Sequence, residues 1–237
     1  ELIFVSIHSE KPMTAFGTQF APEMALATFD GQQWSTPSVV PSDSISLHPG
    51  AHVLHYASTC FEGLKVFSHA DGSKHVFRMD QNITRMVQSS RLISLPAFKE
   101  NMLSGMILDI VGRYKDLVPA PPGTMYLRPT HIGTEAAIGK AAAPSAQSML
   151  YVLASPVGDY FASGDTTLRL LIDEQGMRCA PHMGMVKSGG NYASALQVLN
   201  KARAEHQADQ VLFCPDGDVQ ETAAANFILI DGNELIT

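Results

Sequence analysis

A helix with one buried face is written into residues 103–114. Leu103, Met106, Ile107, Ile110, Val111 and Tyr114 recur at a period of about 3.6 residues, so one stripe of the segment packs inward. The proline-rich run "VPAPPG" after it stops the helix. Two ten-residue β-prone runs follow, "TMYLRPTHIG" and "SMLYVLASPV", around a Gly/Ala-rich loop.

The flanking segments extend the same mixture of elements. "MALATFDGQQW" predicts a strand, a turn at Asp30-Gly31 and the start of a second strand. "KVFSHADGSKHVFRM" predicts a hairpin about Asp71-Gly72. "DQNITRMVQSSRLISLP" predicts a helix capped by Asp80 or Asn82, with Pro96 beyond its end. "GDYFASGD", Gly158 to Asp165, is turn-rich and is the candidate linker between two domains. "TTLRLLID" resumes as a strand. A helix is expected from about Asn191, with Ala195, Val198, Leu199 and Ala202 on one face. "QVLFC", "NFILI" and "ELIT" are then expected as antiparallel strands separated by P-D-G-D and D-G-N turns. The chain ends inside the last of these, so the second domain is expected to be incomplete. The expectation is an α/β (α+β) chain: residues 1–157 as a small α/β domain, 158–166 as an interdomain loop, and 167–237 as the start of a larger domain.

Bulk properties narrow the partners. The 237 residues carry a formal net charge of −7, which offers no basic surface to nucleic acid or acidic lipid. No apolar run approaches the roughly 20 residues that span a bilayer, and no signal-peptide pattern opens the chain. Three cysteines, Cys60, Cys179 and Cys214, are far apart and odd in number. That argues for a reducing compartment, and a cytoplasmic location is expected.

Three charged residues carry two readings each. Lys187, in "GMVKSGGNYASAL", is either a surface-loop lysine or a Schiff-base lysine whose amine is made reactive by desolvation or a nearby cation. On the second reading, Gly189 and Gly190 let a flat ligand approach the backbone. Glu221, in "DGDVQETAAANFILI", is either a solvated loop carboxylate or the partner of a protonated ring nitrogen, with Ala223-Ala224-Ala225 leaving room for the ring. Arg85 lies on a helix among apolar neighbours, where it either snorkels to solvent or points inward to a phosphate. "IGTEAAIGKA" imitates a phosphate loop but has five residues between its glycines, and Ala141 replaces the magnesium-binding hydroxyl. His52 and His55 lack a third ligand, so no metal site is expected.

Together these stretches resemble the class IV pyridoxal-phosphate aminotransferases, and within them the branched-chain amino acid aminotransferases. The resemblance runs through "LHYASTCFEGLKVF", "FRMDQNITRMVQSS", "MYLRPTHIGTEAAIG", "LASPVGDYF", "VKSGGNYASAL" and "QETAAANF", in that order along nearly the whole chain. It implies fold type IV, with a β-rich pseudo-barrel as the second domain, and pyridoxal 5′-phosphate as cofactor. Lys187 would carry the cofactor covalently and act as general base and acid. Glu221 would pair with the ring nitrogen, Tyr192 would bond the ring's phenolic oxygen, and Arg85 would hold the phosphate. Tyr56, Phe61, Tyr126 and Arg128 would line the substrate side, and Tyr160 would close over the site. The implied reaction is amino transfer between leucine, isoleucine or valine and 2-oxoglutarate, in a homodimer. Ala224 departs from the family pattern, since some relatives have a threonine there. The alternatives are a D-amino acid aminotransferase or aminodeoxychorismate lyase of the same fold, and a catalytically dead domain that serves as a binding module.

Overall fold

A computed structural model describes residues 16–158 and 167–237. In chain order the first elements are β1 (Glu23–Phe29), β2 (Ser38–Pro41), α1 (His52–Tyr56), β3 (Thr59–Phe61), β4 (Leu64–Ser68), β5 (Lys74–Val76), α2 (Met79–Leu92) and α3 (Glu100–Arg113). Then come β6 (Thr124–Gly133), β7 (Ser148–Val157), β8 (Leu170–Asp173), α4 (Gly189–His206), β9 (Gln210–Phe213), β10 (Leu229–Asp231) and β11 (Glu234–Ile236). The fold is mixed α/β and mainly sheet. All of the linker expected at Gly158–Asp165 except Gly158, including the loop residue Tyr160, lies outside the described residues.

The two ten-residue runs form the spine of an antiparallel sheet ordered β2-β1-β7-β6-β4-β5, with β3 also on β6. β6 and β7 pair along their full length, from Thr124 opposite Val157 to Gly133 opposite Ser148. On the other side of β6 the partner is split. β3 pairs with 130–132 and β4 with 125–127. The break falls at Glu62-Gly63, opposite Pro129, which has no N–H to give to a ladder. The Glu62 N–H instead donates to the Pro129 carbonyl at 2.9 Å. The expected turns are present: Gly31 and Gly72 take positive φ, and the Asp30 and Asp71 carboxylates accept backbone N–H groups two residues on.

Period two gives β6 and β7 two unlike faces. Met125, Leu127, Leu150, Val152 and Ala154 face the core, where Leu103, Met106, Ile107, Ile110 and Val111 of α3 cover them. Each large apolar side chain buried there contributes about 1.5–3 kcal/mol before entropy is counted. Tyr126, Arg128, Tyr151 and Leu153 face the other way and are only partly buried.

Two local expectations are corrected. α2 starts at Met79, after Arg78 in a left-handed conformation, and no side chain caps it. Asn82 is occupied elsewhere, donating to Glu62 at 2.8 Å, and Asp80 sits within the first turn, where a carboxylate suits the helix dipole. The second correction concerns β9, expected among antiparallel strands; it pairs parallel with β8, Leu170 opposite Gln210 through Asp173 opposite Phe213. The reason is the 18-residue helix α4 between them, which carries the chain back so that it re-enters in the same direction. Ala195, Leu199 and Ala202 of α4 pack on Val211, Phe213 and Ala223 in a second, smaller core. β10 and β11 form an antiparallel hairpin.

Candidate functional site

Lys187 lies just before α4, on the free edge of β3. Its carbonyl accepts the Phe61 N–H at 3.0 Å, and Ser188 bridges antiparallel to Cys60. Its amine reaches into a cavity of about 280 Å³ lined by Arg85, Gln88, Arg178, Cys179, Tyr192, Glu221 and Asn226, among others. Nζ donates to the Tyr192 hydroxyl at 2.7 Å and stands 5.3 Å from both the Phe61 and Tyr192 ring centres. The lysine, the carboxylate, the tyrosine and the arginine singled out in the sequence therefore share one space. Gly189 and Gly190 do not line it. They begin α4, and a Cβ on Gly189 would press on the Thr59 methyl at 3.1 Å, so that glycine serves helix-to-strand approach. Gly184 is the glycine on the cavity wall.

Two residues that sequence reasoning passed over hold this site in shape. Glu62 is 1% exposed and grips Arg85 with both oxygens, at 2.5 Å to Nε and 2.8 Å to Nη2. Asn82 Nδ2 and the Gly63 N–H complete its hydrogen bonds. Arg85 is half exposed, and its guanidinium is held above its ordinary pKa chiefly by the Glu62 hydrogen bonds. A bidentate pair fixes the plane of the guanidinium and leaves the rest of the fork for an anion. Arg178 is 4% exposed. Its Nε donates to the Thr222 carbonyl at 3.1 Å and lies 3.5 Å from the Glu221 carboxylate. Its Nη1 donates to the Asn191 carbonyl, and its guanidinium carbon sits 4.8 Å from the Tyr192 ring centre. One buried cation thus ties together the lysine-to-helix turn, the tyrosine and the glutamate. Burial pushes the Cys179 thiol, on the same wall, above its usual pKa.

A second cavity, about 420 Å³, lies on the outward face of the spine. Its floor is three cross-strand rungs, Tyr126 opposite Ser155, Arg128 opposite Leu153 and Thr130 opposite Tyr151. Phe16, Phe20 and Phe61 wall it. Arg128 stacks on Phe61, 4.5 Å to the ring centre, and donates to the Tyr126 hydroxyl through Nη2 at 2.9 Å. Phe61 also meets Tyr192 of the first cavity, with ring centres 5.1 Å apart. Phe61, Tyr126 and Arg128 are thus brought together on the wall of one cavity. Tyr151, Thr130 and Leu153 were missed, although alternate positions on "SMLYVLASPV" and its partner carried the signal. Burial pushes the Tyr151 phenol up, opposed by the Thr130 hydroxyl and the Arg128 charge.

Tyr56 is not part of either cavity. Its hydroxyl donates to the Ile138 carbonyl, and its ring lies beside His52, with 4.9 Å between ring centres. His52 itself is buried against Ser58 and the Ala143 carbonyl, at 2.9 and 3.1 Å, which is structural work. Lys140 of the phosphate-loop imitation pairs with Glu135 at 2.5 Å. No helix among the described residues is long and apolar enough to cross a membrane.

Comparison with known proteins bears on this arrangement. The profile of the family "Amino-transferase class IV" matches residues 59–237, which include Glu62, Arg85, Arg178, Lys187 and Glu221. A branched-chain-amino-acid aminotransferase of Monosiga brevicollis is 36% identical over 230 residues, covering 95% of this chain and 58% of that protein. The cytosolic branched-chain-amino-acid aminotransferase of Saccharomyces cerevisiae is 35% identical over 231 residues, covering 94% of this chain and 61% of its own length. This chain therefore spans about three fifths of these curated relatives. In fold it is similar to the crystal structure of the branched-chain amino acid aminotransferase from Thermobaculum terrenum in its PLP-form. That match has a TM-score of 0.69 at 20% identity, covering 90% of this chain and 66% of that one. With its profile match over three quarters of the sequence, the chain belongs to the class IV amino-transferase family.

Proposed function

We propose that this chain carries the cofactor and substrate residues of a pyridoxal-phosphate-dependent aminotransferase. Its reaction would move the amino group between branched-chain L-amino acids (leucine, isoleucine, valine) and 2-oxoglutarate. The observation that carries the reading is the meeting of Lys187, Tyr192, Glu221 and a clamped Arg85 around one cavity, next to a largely apolar cavity with a single cation. The first cavity, about 280 Å³, falls just below the usual ~300–1,000 Å³ of small-ligand sites. Its donor set fits the cofactor: an amine for the aldehyde, a cationic fork for the phosphate, a carboxylate for the ring nitrogen and a hydroxyl for the phenolic oxygen.

When bound, pyridoxal phosphate supplies an electron sink for the charge that develops at the substrate Cα. Lys187 would anchor the cofactor, and its freed amine would take the Cα proton as general base and return it as general acid. Tyr192, 2.7 Å from Nζ, orients that amine. Glu221, held beside Arg178, would keep positive charge on the ring nitrogen by pairing with it. Arg85 would bind the phosphate with its plane already set by Glu62. Phe61, Leu153 and the tyrosine rings suit an aliphatic side chain, and Arg128 suits the second carboxylate of glutamate. A homodimer and a cytoplasmic location belong to the same proposal.

The relatives' names favour this over a D-amino acid aminotransferase, a lyase or a dead domain. The test is direct. Purified protein with added pyridoxal phosphate should gain a visible absorbance band, and borohydride reduction should leave the cofactor on Lys187. Lys187→Ala should show neither. Turnover of D-alanine but not L-leucine would replace the substrate assignment. A folded, colourless protein that takes up no cofactor would refute the reading.

A further inference from the structure

Ser89 lies on α2, one helical turn after Arg85, and is 0% exposed. Its hydroxyl accepts the backbone N–H of Lys187 at 3.2 Å, across 98 residues of sequence. The Lys187 carbonyl is held just as firmly, by the Phe61 N–H at 3.0 Å. Both polar groups of that one residue's backbone are thus tied to elements of the sheet-and-helix layer, while its side chain extends into the cavity beyond. Positions four apart lie on one face of a helix, separated by about 6 Å along the axis. α2 therefore presents Arg85 to the cavity and Ser89 to the lysine amide from the same face.

We propose that Ser89 is a positioning residue: it pins the Lys187 backbone to α2, so that one rigid helix sets the span between the reactive amine and the arginine that receives the anion. The span matters because covalent attachment at one end and ionic anchoring at the other must be satisfied by one rigid ligand. A misplacement of about 1 Å in such a geometry costs on the order of a hundredfold in rate. Nothing chemical is asked of the serine itself. A buried N–H that loses its acceptor is destabilised, and the lysine backbone then shifts to find water or another partner. The anion anchor is untouched by that shift, because Arg85 is held by Glu62 and not by Ser89.

The proposal rests on the cofactor reading above for its consequence, but not for the contact. Two measurements separate them. Amide hydrogen exchange of Lys187 is compared in the wild type, Ser89→Ala, Ser89→Thr and the near-isosteric Ser89→Cys, without cofactor. Loss of the hydroxyl should speed Lys187 exchange by about fivefold to tenfold, the worth of one neutral hydrogen bond, while amides in the middle of α3 keep their rates. Threonine should restore it. In the second measurement, pyridoxal phosphate is captured at Lys187 by borohydride, and pyridoxine 5′-phosphate, which has no aldehyde, is bound in parallel. Ser89→Ala should slow covalent capture at least tenfold and leave the binding of pyridoxine phosphate within twofold. Unchanged Lys187 exchange in Ser89→Ala and Ser89→Cys would overturn the proposal, as would equal losses in capture and in pyridoxine phosphate binding. If the wild type takes up neither ligand, the cofactor reading falls, and the exchange rates alone decide whether Ser89 holds the lysine.

Discussion

Removing Arg85 should cost stability even with no cofactor present, and it should cost more than removing Glu62. The two ends of this ion pair sit in different surroundings. Glu62 is 1% exposed, whereas the Arg85 side chain is 51% exposed. Arg85→Leu strands a buried carboxylate with only Asn82 Nδ2 and the Gly63 N–H as donors. Stranding one member of a buried pair costs about 3–5 kcal/mol, and the two remaining donors place this case near the lower end, at about 3 kcal/mol. Glu62→Gln leaves a half-exposed guanidinium that water can solvate, and the amide oxygen still accepts one hydrogen bond. Its cost is set at about 1–2 kcal/mol, because exposed pairs contribute only about 0–1 kcal/mol and the lost bond is charge-assisted.

For a chain of this size each kcal/mol moves the melting temperature by roughly 2–4 °C. Thermal melts of the cofactor-free protein should therefore fall by about 6–12 °C in Arg85→Leu and about 2–8 °C in Glu62→Gln. The double variant Arg85→Leu/Glu62→Leu should recover part of the loss, since no charge is left buried, and a double-mutant cycle closed with the Arg85→Leu and Glu62→Leu single variants should return a coupling of at least about 1 kcal/mol. With pyridoxal phosphate present, Glu62→Gln should weaken cofactor binding, because the guanidinium keeps its charge but loses its set plane. A melting temperature for Arg85→Leu within about 1 °C of wild type, or a larger loss in Glu62→Gln than in Arg85→Leu, would refute the reasoning.

His131 is fully buried, bonded to the Ser90 and Ser148 hydroxyls at 3.0 Å each, and desolvation holds its pKa down to about 3. The unfolded chain gains that proton near pH 6.5, so the contribution is complete above pH 6.5 and lost as pH falls toward 3. Urea titrations between about pH 6.5 and 5, above the range of the carboxylates, should show up to a tenfold fall in the folded-to-unfolded ratio per pH unit, and His131→Gln should flatten that slope. Gly63→Ala should displace the tip of Tyr126, because a Cβ there would overlap its hydroxyl. Overpacking of this kind costs about 1–3 kcal/mol, and the Arg128 partner moves with it, so a lowered melting temperature should come, under the proposed reaction, with a raised KM for 2-oxoglutarate and a smaller change for leucine.

The parts of this molecule that were legible in the sequence are those whose pattern is local. The apolar stripe of α3 is buried where its period placed it, and both spine strands run the full length of their β-prone runs. Residues that gather around the first cavity were legible too: a lysine near two glycines, a glutamate in a small-residue run, an arginine on a helix among apolar neighbours. The direction of β9 was not. Its short apolar run is compatible with either sense, and only the length of α4 before it decides the matter.

The holders of the site were less visible than the residues they hold, and for one physical reason. Glu62, Arg178 and Ser89 act through partners 23, 44 and 98 residues away. A buried charge or hydroxyl is tolerated only when its partners surround it, and those partners are assembled by tertiary contacts that no spacing records. Glu62 sits where Pro129 breaks the ladder of β6, Arg178 in a loop without periodicity, and Ser89 in a helix whose other residues account for its pattern. Tyr56 shows the converse. It has a family-like setting in the sequence, yet its hydroxyl is used by the Ile138 carbonyl, outside both cavities. A reactive group must look unusual to do its chemistry, while a group that positions another must only fit, and fit is a property of the folded arrangement.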